Sequence, residues 1–253
     1  SDLAAVAAYD NIDELDPHMQ SNYRKAYFLR AMELMESGSY RAAVPHLKAA
    51  SYYGSRRDPF NQLSRYALAE AYYRDGKYAD SRSILTDLYN LSALNGRKEG
   101  DLISYQTAYT YFQEGDYSHA LKWFQNYLES GSDTCAADAE TRIGDCYFFS
   151  KDYSTAIVAY ERKFADYPDK SDLYPAYRAG VAAGLLRDFD AKVKFLEGVK
   201  QADPSVPWYA ESLYELGRAY VSVGDEDDAV RAFRTLRSSA SDPEYATRAL
   251  LEL

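Results

Sequence analysis

Side chains able to do acid–base, nucleophilic or metal chemistry are few and scattered in this 253-residue chain. The three histidines, His18, His46 and His119, stand far apart, and none forms a metal-ligating set with a Cys, a second His or spaced carboxylates. Cys135 lies in a loop and Cys146 on the following helix. At about 1.5 Å per helical residue they are too far apart to bridge, so both are read as reduced thiols, Cys146 as a small core residue. The acidic run Asp225, Glu226, Asp227, Asp228 lacks the alternating ligands and turn glycine of a calcium loop. It fits a helix start, where negative charge meets the positive end of the dipole. Glycine-rich phosphate loops and nucleophile elbows are absent from the sequence. The reading is a non-enzyme with no catalytic residue, no metal and no cofactor. The chemistry in surplus is recognition. Twenty-six tyrosines offer rings for apolar side chains and hydroxyls for backbone contacts, while Arg142 and Arg178, at matched positions, can hold carboxylates.

These groups are placed by a repeat. A small residue recurs on apolar helical stretches at Ala31, Ala69, Ala108, Gly144, Gly180 and Gly217, with spacings of 38, 39, 36, 36 and 37 residues. Each copy adds further matched positions. The fourth has Ile143-Gly144, Tyr147, Lys151-Asp152-Tyr153, Ala156, Tyr160 and Pro168; the sixth has Leu213, Leu216-Gly217, Tyr220, Gly224-Asp225, Ala229 and Phe233. The second and third follow with Leu68-Ala69, Tyr72, Gly76-Lys77-Tyr78, Ser81, Leu85 and with Thr107-Ala108, Tyr111, Gly115-Asp116-Tyr117, Ala120, Phe124. The first is sparser. In the fifth, Ala191 and Phe195 restore the spacing only with an inter-helix turn one residue shorter.

This order resembles the tetratricopeptide repeat, W-x2-L-G-x2-Y…A-x3-F…P, with Glu140 where the Trp of the fourth copy would stand. The physics behind it is close helix approach: a small residue on the first helix of a hairpin, such as Gly144 or Ala69, receives a bulky one on the second, Tyr160 or Leu85. Gly at the reversal supplies a left-handed helix end. The resemblance implies an all-α fold, a right-handed α-α superhelix (TPR solenoid) of about six helical hairpins plus an extra helix at each end, continuous over 1–253. Hairpins are expected at about 22–55, 61–93, 101–131, 137–168, 173–204 and 208–241, with half-repeats at 2–17 and 243–253.

In this family the first helices line a concave groove. Carried onto the present chain, the resemblance implies partner-binding residues Phe28, Tyr66, Tyr73, Tyr105, Tyr109, Phe112, Arg142, Tyr177, Arg178, Tyr214 and Arg218. Tyr66, Tyr105 and Tyr109 are expected as exposed anchors and Tyr147 as core. The alternative for the ladder is packing between successive first helices. The Lys and Asn clamp of chaperone-binding relatives is missing, since Phe28 and Met32 occupy its first-repeat positions.

A net charge of −10 excludes the electrostatic footprint of a nucleic-acid or anionic-membrane binder. With no apolar run of about 18 residues, direct membrane insertion is not expected. The segment from Ala156 to Gly180, with Ala-x3-Tyr, Tyr-Pro-Asp-Lys-Ser and Pro-Ala-Tyr-x2-Gly, resembles bacterial envelope proteins of this repeat class, such as outer-membrane assembly lipoproteins and Tol-Pal coordinators. That resemblance implies a periplasmic or envelope-associated scaffold, a cytoplasmic one being the alternative. The functional expectation is a non-catalytic adaptor holding a partner protein or peptide in an aromatic groove. Its alternative is a structural array that self-associates through its terminal helices.

Overall fold

A computed structural model of the chain describes residues 4, 6, 7, 15–169, 171–239 and 243–253. The chain forms two compact units, Ser1–Thr134 and Cys135–Leu253, and no strand occurs among the described residues. In the first unit α1 (Pro17–Glu36) pairs with α2 (Tyr40–Ala50), and α3 (Pro59–Arg74) with α4 (Tyr78–Asn90). A single turn, α5 (Lys98–Asp101), then leads to α6 (Ile103–Gln113), which pairs with α7 (Tyr117–Glu129). In the second unit α8 (Ala136–Phe149) pairs with α9 (Tyr153–Asp166) and α10 (Tyr174–Leu185) with α11 (Phe189–Glu197). The pair α12 (Tyr209–Val223) and α13 (Glu226–Ser239) follows, and α14 (Pro243–Glu252) comes last.

Local chemistry sets the helix ends. Asp16 and Asp58 accept hydrogen bonds from the backbone of Met19 and Asn61, and a proline follows each as the first helical residue, where its missing N–H goes unneeded. This cap starts α1 at Pro17, ahead of the boundary expected near 22, so Pro17 opens a helix. Most of the expected half-repeat over 2–17 lies outside the described residues; within it, Val6 packs with Tyr27 and Ala50. The run beginning at Asp225 is likewise a cap, with Asp225 accepting from the Asp228 backbone at 3.1 Å.

Six reversals fall in one register. Gly38, Gly76, Gly115, Lys151, Arg187 and Gly224 all have φ between 62° and 83°, each seven residues beyond its small first-helix residue. The fifth turn is therefore as long as the others, which corrects the shorter turn expected there. Lys192 and Leu196, rather than Ala191 and Phe195, take the two packing positions of α11. A Cβ added at Gly180 would lie 2.5 Å from Leu196 Cγ, and one at Gly184 would lie 2.9 Å from Lys192 Cδ. The lysine fits because Gly184 leaves its stem room. The other glycines pack the same way: a Cβ on Gly217 would lie 2.6 Å from Phe233 Cε1, and one on Gly144 would sit on the Tyr160 ring.

Candidate functional site

In the first unit, first-helix aromatics converge on a recess. Glu70, Tyr73 and Arg74 from α3, Ser81 from α4, and Tyr105, Gln106 and Tyr109 from α6 line a cavity of about 290 Å³. Tyr105 and Tyr109 stand one helical turn apart, so they share a face of α6, and their rings meet edge to face at 5.0 Å. Both are fixed from behind. Tyr109 lies 5.3 Å from Phe124, and Tyr105 lies 5.3 Å from Tyr127, both supporting rings being fully buried on α7. Phe112 continues the cluster between Tyr117 and Phe124. The Tyr73 hydroxyl accepts from Gln113 Nε2 at 3.3 Å, linking α3 to α6, and burial pushes its phenol pKa up.

Polar groups at the recess are unevenly matched. Glu70 accepts from Arg74 Nε at 2.7 Å and from Gln106 Nε2 at 3.4 Å. Ser81 Oγ and Gln106 Oε1 are buried with no hydrogen-bond partner. Such atoms retain a desolvation cost that an incoming donor relieves. Of the remaining first-unit residues expected here, Tyr66 is half-buried against the apolar cluster that contains Leu85 and Leu88, and Phe28 lies against Phe60 at 5.4 Å.

The second unit departs from expectation. Arg142 and Arg178, expected to offer guanidinium groups to a partner, converge on a carboxylate of the chain itself. Asp145 is fully buried and accepts from Arg142 Nη1 at 2.6 Å and Tyr160 Oη at 2.7 Å, with Arg178 Nε 3.6 Å away. Burial pushes the Asp145 carboxyl up against the pull of Arg142. The Arg178 guanidinium also lies over the Phe148 ring at 3.8 Å. Tyr177 is 6% exposed, stacked on Trp208 at 5.4 Å with its hydroxyl donating to Glu211 at 2.9 Å, so it packs the core rather than presenting an anchor. Tyr214 donates to Glu252 on α14, and exposed Arg218 lies 5.9 Å from the Tyr214 ring. Tyr147, expected as core, is only half-buried; Tyr160 takes that place because it fills the space above Gly144. Cys146 is buried, and desolvation holds its thiol up to about 12.

One register position carried a signal that the sequence reading passed over. Twelve residues beyond each small first-helix residue stand Ala43, Ser81, Ala120, Ala156, Lys192 and Ala229. The two departures from alanine each line a cavity. Ser81 lines the tyrosine recess; Lys192 lines a second one, of about 390 Å³, with Gly184, Glu215 and Arg218. Among the described residues no helix is long and apolar enough to cross a membrane.

Paired helices in a fixed register, close-packed through one small residue per pair, define a helical-repeat protein. The chain carries tetratricopeptide repeats: that family matches residues 28–95, from the second half of α1 through α4, and again residues 210–236 in α12 and α13. A curated relative, the TPR repeat-containing protein YpiA of Bacillus subtilis (strain 168), is 24% identical over 169 residues, covering 62% of this chain and 38% of the relative. The chain thus spans well under half of that relative's length. Among solved structures, MamA is similar at 17% identity and a TM-score of 0.57, over 68% of this chain and 94% of MamA. A double mutant of MamA RS-1 gives 16% identity and a TM-score of 0.60, over 71% and 93%. At these identities the likeness is one of fold.

Proposed function

We propose that the chain is a non-catalytic interaction scaffold that receives a partner protein segment in the recess between α3 and α6. The observation that carries this reading is the set of three half-buried tyrosines, Tyr73, Tyr105 and Tyr109, around a cavity of about 290 Å³. Their backing by Phe124 and Tyr127 favours binding, because rings already held in place lose little freedom when a partner docks. Tyrosine, with tryptophan and arginine, is enriched among the residues that carry most of the binding energy at interfaces. The tetratricopeptide fold supports the same class of function. The test is affinity capture by the parent protein and by Tyr105→Ala and Tyr109→Ala variants of equal helicity. Loss of the captured partner from both variants is expected; retention by both contradicts the assignment of the recess.

Self-association is a second reading, favoured by Leu250, Leu251 and Leu253 on and beyond α14, which are 55%, 84% and 48% exposed. Sedimentation of the parent and of Leu251→Lys decides it: a concentration-dependent oligomer abolished by the substitution supports the reading, and a monomer in both refutes it. A bacterial-envelope location belongs to the proposal through the resemblance of Ala156 to Gly180, and cell fractionation tests it.

A further inference from the structure

We infer that the recess between α3 and α6 selects a basic side chain, Lys or Arg, of the docking segment. This inference rests on the proposal that the recess is a docking site and adds the chemistry that it recognises. Tyr73, Tyr105 and Tyr109 line the cavity, and aromatic rings attract a cation that has left water. At its wall Gln106 Oε1 has acceptor lone pairs with no partner, and the buried Ser81 hydroxyl, also without a partner, can accept as well as donate. An ammonium or guanidinium carries several N–H donors and no acceptor, which matches that deficit. The chain's net charge of −10 draws basic partners toward it.

A cation is already present at the rim. Arg74 holds Glu70 by its Nε, yet its side chain is 55% exposed, and its guanidinium lies 6.0 Å from the Tyr40 ring on the far side. An ion pair four residues apart along a helix, with its cation more than half in solvent, is weak. Arg74 therefore acts as a replaceable counter-ion. When a ligand cation enters, Glu70 exchanges partners and Arg74 turns toward Tyr40 and solvent. Binding of the basic side chain and retention of the internal pair are thus in competition, and this competition fixes the sign of two substitutions.

The experiment titrates the whole chain with short peptides that differ only in a central residue, Lys, Arg, norleucine or Glu, and reads dissociation constants by calorimetry. The Lys and Arg peptides should bind roughly tenfold tighter than the norleucine peptide, with the Glu peptide weakest. Glu70→Gln should erase the advantage of Lys over norleucine, while Arg74→Ala should enlarge it several-fold by removing the competitor. Norleucine binding as tightly as Lys, or Arg74→Ala weakening the Lys peptide, overturns the inference. Tyr105→Ala separates this failure from failure of the site itself. If it weakens all four peptides equally and charge has no effect, the recess binds but does not select a cation. If it weakens none, both the site and its selectivity are wrong.

Discussion

Gly144→Ala probes the packing of the second unit. A Cβ at this position would meet Cε1, Cδ1 and Cζ of Tyr160, a ring with no exposed surface. The ring has little freedom to yield, because its hydroxyl donates to the buried Asp145 at 2.7 Å. Replacing an interior helical glycine gains about 1 kcal/mol of helix propensity. Overpacking a close-packed core costs about 1–3 kcal/mol, and pulling the hydroxyl off a buried acceptor costs about 1–3 kcal/mol more. The net expectation is a loss of about 1–5 kcal/mol, centred near 3. For a cooperative unit of this size that lowers Tm by on the order of 10 °C. Gly198→Ala is the control, since a Cβ there meets nothing within 4 Å. Thermal unfolding by circular dichroism should show Gly198→Ala at or above the parent and Gly144→Ala well below it. Equal melting of Gly144→Ala and the parent would refute the close crossing of α8 and α9.

Two further outcomes follow from the second unit. In the native protein a disulfide reagent such as DTNB should label half-exposed Cys135 and leave Cys146 unmodified at neutral pH, because burial holds the Cys146 thiol up to about 12; rapid labelling of two thiols per chain contradicts that burial. Asp152 caps α9, and hydrogen bonds from the Thr155 side chain and backbone hold its carboxyl below the usual value. Its folded-state pKa is thus the lower one, so its contribution is complete above the unfolded-state pKa and is lost as pH falls through the folded one. Asp152→Ala should melt below the parent at neutral pH, with the gap closing in acid; a gap that widens in acid reverses the sign and rejects the cap.

Much of the fold was legible because close helix approach restricts residue type at a fixed interval. Ala31 through Gly217 and five of the six reversals stand out for that reason, even where Lys151 replaces glycine at positive φ; the fifth, at Arg187, was expected one residue shorter. The fifth hairpin misled because its compensation is non-local: Lys192 fits an alanine position only because Gly184, on the facing helix, lacks a side chain. The site was legible in part. Periodicity places Tyr73, Tyr105 and Tyr109 on one face, but it does not say how deeply a face is covered. Tyr177 follows the same spacing and is buried by Trp208, a residue of the following interhelix segment. Arg142 and Arg178 matched across copies and looked available, whereas Asp145, three residues after Arg142 and one turn along the same helix, claims both. Pairings between successive hairpins depend on side-chain reach, which a one-dimensional repeat does not record.

The most direct test of the scaffold reading measures binding and folding stability on the same variants, Tyr109→Ala and Leu47→Ala, against the partner captured by the parent protein. Leu47 is fully buried in the first hairpin and does not line the recess, so its truncation should cost about 2–5 kcal/mol of stability and leave the affinity of the folded protein unchanged. Tyr109→Ala should lose more than about 1–2 kcal/mol of binding free energy while costing only about 1 kcal/mol of stability. If Tyr109→Ala instead destabilises the fold as severely as Leu47→Ala and the folded fraction binds with parental affinity, the tyrosines are core packing and the recess is not the docking site.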